Sequence, residues 1–210
     1  MKNSDIPISD PTPALGKTAQ RILDAAIRVL GRDGFRALTF ESIAREAGEN
    51  PALIRYHFGS KAGLISVLVD AVLYLEAVEL IESLSSTPPG EGRRRELFRM
   101  HRLIARDREG YDEFFELIPH VLRDPGLRPK LRDLMRWYRA LDAWALAKES
   151  GEAEAARLGP LSLLTVAMLD GVALQVEADP DLDIDPAYDL WERLVLDYLH
   201  RRDEAGGRRS

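Results

Sequence analysis

Residues 39–61, TFESIAREAGENPALIRYHFGSK, decide the fold. They spell two short helices with a tight turn between them. Thr39 is an N-cap, and Glu41 puts a negative charge in the first turn, where the helix dipole favours it. Ile43, Ala44 and Ala47 form a small apolar face, and Gly48 supplies the left-handed residue that ends the helix. Asn50 caps a second helix that starts at Pro51, a position where a missing N–H costs nothing. Two such helices joined by a glycine-containing turn of about three to four residues make a helix-turn-helix.

The second helix declares its orientation. At about 100° per residue, Ile54 and Phe58 stand one turn apart, with Pro51 on the same side, and this face is expected to pack on the first helix. The opposite face carries Ala52 and Tyr56, flanked by Leu53 and Arg55, with His57 at the border. Small residues at the tip let backbone enter a DNA major groove about 12 Å wide, and Arg and Tyr can reach base edges or phosphates. Ser60 caps the next helix, and Lys61 beside its exposed amides suits a phosphate.

With Gly34-Phe35, Thr39, Ile43-Ala44, Ala47-Gly48, Tyr56-His57-Phe58-Gly59-Ser60-Lys61 and Leu64, residues 35–64 resemble the DNA-binding domain of the TetR family of transcriptional regulators. The resemblance covers roughly the first third of the chain. It implies that Asn50, Pro51, Ala52, Leu53, Arg55 and Tyr56 face the major groove and that Thr39, His57 and Lys61 touch phosphates. Departures are Glu49 and Asn50, where the family usually has valine and serine, Ala52 in place of a glycine, and Arg55 in place of a frequent tyrosine.

Charge is unevenly spread over the 210 residues. Residues 1–63 hold nine Lys/Arg against seven Asp/Glu, and residues 64–210 hold twenty against twenty-eight. A head of net +2 on a body of −8 fits a DNA-reading module carried by an acidic domain. With 45% hydrophobic and 30% charged residues, the composition is that of a globular protein. There is no cysteine, hence no disulfide or thiolate chemistry. Residues 64–81, the most apolar window, are interrupted by Asp70, Glu76 and Glu79, so no membrane partner is expected. The chain lacks a signal-peptide pattern, and a cytoplasmic location is expected.

Outward from the motif, residues 1–17 carry three prolines and are expected to be a disordered arm. Thr18 caps a first helix with the stripe Ile22, Ala25, Ala26, Val29 and Leu30, completing a head over residues 18–63. Residues 64–84 continue as one long connecting helix, and residues 83–92 are a loop rich in Ser, Pro and Gly. Helices follow over residues 93–106 and 111–123. Residues 127–148 have the best periodicity, with Leu127, Leu131, Leu134, Tyr138, Leu141 and Ala145 in one seam. After a hinge at 151–159, residues 160–178 form a helix that is apolar nearly all round. The last helix carries the stripe Ala187, Leu190, Trp191, Leu194, Val195 and Tyr198, and residues 204–210 are a tail. The prediction is an all-α protein of about nine helices, with ligand binding and dimerisation in residues 64–203.

No catalytic constellation stands out. His57, His101, His120 and His200 have no metal-ligand spacing, and there is no phosphate loop or nucleophile elbow, so no metal, cofactor or enzymatic activity is expected. Apolar pockets between helices are common ligand sites, and the resemblance implies an unidentified small-molecule effector in the body. Met100, His101, Phe114, Phe115, Ile118, Trp137, Tyr138, Trp144 and Met168 are its candidate lining. The resemblance also implies a homodimer built on the last two helices, through Leu164, Met168, Gly171, Val172, Gln175, Leu190, Trp191, Leu194 and Tyr198. The expected function is a repressor that reads a palindromic double-stranded operator and is released by a largely apolar ligand. Two alternatives compete: a DNA-organising protein with a solid body, and an all-α ligand-binding enzyme that turns over its ligand without touching DNA.

Overall fold

The computed structural model describes residues 15–74, 77–148 and 152–207, and all regular structure among them is helical. The helices are α1 (Lys17–Asp33), α2 (Phe40–Ala47), α3 (Pro51–Phe58), α4 (Lys61–Leu73), α5 (Ala77–Ser86), α6 (Glu91–Ile104), α7 (Arg108–Arg123), α8 (Arg128–Leu146), α9 (Glu152–Arg157), α10 (Gly159–Ala178) and α11 (Asp185–Gly207), with a 3-10 turn at Phe35–Ala37. The all-α expectation holds, with finer segmentation. The single helix expected over 64–84 is two helices, α4 and α5, and the hinge at 151–159 contains α9. The first helix starts two residues early, at Lys17 after an N-cap at Gly16 that makes no side-chain bond, so Thr18 is not its N-cap. The arm expected at the N-terminus lies outside the described residues up to position 14, and α11 extends into the expected tail.

The chain packs as two compact units. The first comprises Ser9–Val78 and Glu109–Arg136. Its core begins with Ile22, Leu23, Ala25, Ala26, Val29 and Leu30 of α1, all buried, and α1 touches α2, α3 and α4. Packing does not divide at residue 63, because most of α7 and half of α8 belong to this unit. The reason lies in specific contacts. The Phe35 ring stacks on His120 at 3.8 Å, the Phe35 amide donates to Glu116 Oε2 at 3.4 Å, and Lys130 pairs with Asp70.

The second unit contains Glu79–Arg108 and Trp137–Ser210. Here α6 touches both α10 and α11. Two buried polar groups tie it in place. Arg94 Nε donates to the Leu146 carbonyl at 2.7 Å, and the Tyr188 hydroxyl donates to the His101 carbonyl at 3.1 Å. Residues 141–147 are buried without a break. One described helix is long and apolar enough to cross a membrane, and it is α10 rather than any part of 64–81. Asp170 interrupts it near the middle, and Leu163, Leu164 and Leu174 on it are exposed.

This unit also encloses acid. Asp142 of α8 is fully buried, with His101 Nε2 of α6 at 3.3 Å from its Oδ1. Burial pushes the Asp142 carboxyl above its usual range, against the opposing pull of His101. Burial likewise raises Asp170 to about 6, helped by the Asp142 charge and opposed by His101. An acid whose folded pKa exceeds its unfolded one contributes stability below the unfolded value and loses it as pH rises through the folded one. Asp170→Asn should therefore raise Tm at pH 8 by an amount equivalent to at most about 3 kcal/mol, and the gain should fade by about pH 4. Scanning calorimetry of both proteins between those pH values checks this; a gain independent of pH would show that the carboxylate is not buried as described.

Candidate nucleic-acid interface

Local chemistry builds the interface before any packing does. At the start of α2, Thr39 Oγ1 accepts from the Ser42 amide and Ser42 Oγ accepts from the Thr39 amide, each at 3.0 Å. This reciprocal pair satisfies two amides that a helix start would otherwise leave open. Gly48 ends α2 with φ 68° and ψ 32°, a conformation that costs a residue with a Cβ energy. Asn50 Oδ1 then accepts from the Ala52 amide at 2.8 Å and starts α3. Ser60 Oγ accepts from Gly63 at 3.1 Å and starts α4. A Cβ on Gly63 would stand 2.2 Å from the Phe58 carbonyl oxygen, so glycine is what lets α4 begin so close to the end of α3.

With these joints set, α3 is anchored by Ile54 and Phe58, its two buried residues. Its outer face carries Asn50, Ala52, Arg55, Tyr56 and His57, all exposed, and Leu53 is half-buried. Tyr56 is 81% exposed, an extreme value for a large ring. One placement corrects the expectation. Pro51 is exposed rather than packed on α2, because at the first turn of α3 the chain has not yet descended to the core. The Arg55 guanidinium sits 5.6 Å from the centre of the Phe40 ring, so this side chain is steadied by α2 as well as free to reach outward. Thr39 is half-buried with its hydroxyl in the cap, and Lys61 is exposed.

The electrostatics hold a feature that periodicity does not reveal. Glu49, the acid at the turn, is paired with Arg21 of α1, which takes up its charge. Glu46 pairs with Arg28 and Arg32, at 2.9 Å each, and the Arg28 bond followed by the Arg32 bond holds its carboxyl below the usual range. These exposed pairs join α1 to α2 and contribute little stability singly. Lys17, Arg36, Arg45, Arg55 and Lys61 make no ion pair among the described residues, so the head's excess positive charge stays available. Lys61 also lies on the wall of a groove of about 860 Å³ shared with Phe35, His120 and Arg123. Arg123 is exposed and adds a cation that α7 brings alongside the head; its sequence position, at the end of a helix assigned to the body, concealed it.

The candidate effector residues divide between the two units. Phe114, Phe115 and Ile118 belong to the first, while Met100, His101, Trp137, Tyr138, Trp144 and Met168 belong to the second. Asp142 and Asp170 were not among the candidates. The available signal was one charge inside each of two apolar runs, LDAWALA and AMLDGVAL. On α10 and α11, Leu164, Leu190, Leu194 and Tyr198 are each more than half exposed, Gly171 and Gln175 are exposed, and Met168, Val172 and Trp191 are half-buried. Among the described residues no cluster of three or more His, Asp or Glu could hold a metal ion.

Comparison with known proteins agrees with this geometry. The family model described as bacterial regulatory proteins, tetR family, matches residues 22–68. The HTH-type transcriptional regulator BetI of Rhizobium meliloti (strain 1021) is 44% identical over 52 residues, 25% of this chain and 26% of that one. The chain thus matches about a quarter of the length of the curated relatives. A solved structure of a TetR family member from Streptomyces coelicolor A3 has a TM-score of 0.66 at 26% identity, covering 89% of this chain and 98% of that one. The multidrug binding protein EbrR, complexed with malachite green, has a TM-score of 0.60 at 30% identity, covering 88% and 98%.

The interface yields a paired test on duplexes selected from random DNA. Tyr56→Ala should weaken binding to the selected sequence about tenfold or more while leaving Tm unchanged, because the ring touches no core. Lys61→Ala should weaken selected and unrelated duplexes alike and lower the salt slope by about 1 per subunit. Anisotropy titrations at several salt concentrations measure both; a Tyr56→Ala protein that melts early would show that α3 presents another face.

Proposed function

Because the chain belongs to the TetR family of DNA-binding transcriptional regulators, we propose that it acts as a homodimeric repressor of a palindromic operator, released by a small and largely apolar effector. The observation that carries the reading is α3 itself: two buried anchors fix it, and the opposite face, with Asn50, Ala52, Arg55, Tyr56 and His57, is exposed. Residues 18–63 would do the reading, with Asn50, Pro51, Ala52, Leu53, Arg55 and Tyr56 toward bases and Thr39, His57 and Lys61 toward phosphates. Residues 64–203 would bind the effector and the second subunit. A cytoplasmic location follows from the DNA target.

Support for the dimer comes from apolar surface left in water. Leu164 on α10 and Leu190, Leu194 and Tyr198 on α11 are large, half-exposed side chains whose remaining burial is worth about 1 kcal/mol each. A Cβ on Gly171 would meet nothing within 4 Å, so no neighbour inside the chain calls for glycine at that point of α10. Close approach of a second subunit's helix would explain it. The apolar character of α10 is then directed to a protein partner rather than to lipid, in keeping with Asp170 at its middle.

For the effector, EbrR in complex with malachite green is the supporting relative. The six candidates that share one unit with α10 and α11, Met100, His101, Trp137, Tyr138, Trp144 and Met168, form the lining assigned here. An effector can shift operator affinity only by its own difference in affinity for the two states, typically about 1–3 kcal/mol, and the operator must weaken effector binding by the same factor.

Leu194→Asp should give a monomer by sedimentation and lose tight operator binding, since half-sites lie about 34–36 Å apart or more and one head cannot span two. A wild-type monomer with tight operator binding would refute the dimeric reading. In the same preparation, effector titrations with and without operator duplex should differ by the factor with which the effector loosens the operator. Unequal factors would refute the release mechanism and leave DNA binding intact.

A further inference from the structure

The segment Glu109–Arg136 brings five Lys and Arg side chains to the first unit: Arg123, Arg128, Lys130, Arg132 and Arg136. Four of them are engaged. Arg128 donates to the Leu122 carbonyl at 2.7 Å, Lys130 pairs with Asp70, and Arg132 and Arg136 pair with Asp133 at 3.1 and 3.6 Å. Arg123 is exposed, and its side chain has no hydrogen-bond or ion-pair partner among the described residues. The acid next to it does not take it up, because Asp124 Oδ1 accepts from the Gly126 amide at 2.7 Å.

Exposure alone would make Arg123 an ordinary solvated cation. Its place in the unit sets it apart. It lines the same groove as Lys61, and the α4 residues on that wall are Lys61, Ala62, Ile65 and Ser66, the first two turns, which adjoin the end of α3. The end of α7 is held there. The His120 ring stacks on Phe35 at 3.8 Å with 12° between the planes, and three residues on along the helix Arg123 lies to the same side. The bond from Arg128 to the Leu122 carbonyl closes the helix just beyond. Arg123 is thus fixed to the head through packing, as Lys61 is through the chain itself.

The phosphates of one DNA strand step about 3.4 Å along the duplex axis, so a strand that meets Lys61 brings further phosphates past a groove of about 860 Å³. A guanidinium fork suits them, since it can take two phosphate oxygens at once. We propose that Arg123 is a further phosphate-contacting residue, gripping the strand beside the phosphate that Lys61 holds, so that the DNA-binding surface includes the end of α7. This rests on the reading that the chain binds DNA with Lys61 on the backbone. The contact positions the duplex and reads no sequence.

The test uses the full chain and a duplex it selects from random DNA, with anisotropy titrations at several salt concentrations. Arg123→Ala should weaken selected and unrelated duplexes alike, about threefold or more, and lower the salt slope by about 1 per subunit. Tm should not change, because the side chain has no partner to lose; Arg123→Gln, which keeps the stem, repeats the comparison, and Arg123→Lys should keep the slope. A second arm separates contact from attraction through space, using duplexes with a single neutral methylphosphonate at each backbone position in turn. One position should cost the wild type affinity and cost Arg123→Ala none, and it should neighbour the position that behaves likewise for Lys61→Ala. A wild-type salt slope in Arg123→Ala overturns the proposal, as does the lack of any position whose effect disappears with Arg123. The two readings fail separately. Tight binding with a Lys61 position but no Arg123 position refutes the α7 contact alone, whereas a chain that binds no duplex refutes DNA binding itself and this contact with it.

Discussion

The DNA-reading head depends on the burial of two side chains, Ile54 and Phe58, one helical turn apart on α3. An eight-residue helix is too short to be stable alone, so its existence and its rotation about its own axis are both set by those anchors. Everything on the other side follows. Tyr56 must point outward because its neighbours two residues away on either side point inward. The caps at Asn50 and Ser60 and the close approach at Gly63 then fix where the helix begins and ends. A face held by sterics and hydrogen bonds in this way is presented rigidly, as a surface that must match DNA requires.

Charge in the head is apportioned with similar economy. A net of +2 is small for a nucleic-acid module, and three acids, Glu41, Glu46 and Glu49, lie in the motif itself. Two of them, Glu46 and Glu49, are turned toward α1 and neutralised by Arg21, Arg28 and Arg32. Arg55 and Lys61, on the reading surface and beside it, are among the cations without ion pairs among the described residues. Electrostatic steering depends on this local arrangement more than on the formal total. The acids at the turn thus strengthen the α1–α2 contact without opposing a phosphate backbone directly.

The second unit shows the opposite treatment of charge. Its surface pairs are ordinary, but its interior holds a carboxylate at 0% exposure with the buried His101 imidazole 3.3 Å away. Core packing elsewhere in the unit is apolar and the polar groups at its joints, Arg94 and the Tyr188 hydroxyl, are well bonded. The His101–Asp142 pair is thus the acidic exception within an otherwise apolar and well-bonded interior.

The helix-turn-helix was legible from the sequence because every signal in it is local. Caps, a left-handed glycine, a proline at a helix start and a four-residue apolar spacing act within one or two turns of chain, so residues 39–61 determined their own structure and the face of α3. Helix content in the body was legible for the same reason, through the seam from Leu127 to Ala145. What lay beyond reach involved residues distant in the chain. That Pro51 stays exposed depends on how α3 meets α2. That Glu49 is neutralised depends on Arg21, 28 residues earlier. That α7 packs with the head depends on Phe35 finding His120. The significance of Asp142 depends on α6, α8 and α10 converging, since an aspartate on an amphipathic helix has the same appearance in sequence whether it meets water or is sealed from it. Local chemistry determined the elements and their faces; only tertiary packing decided which charges meet a partner and which are sealed from water.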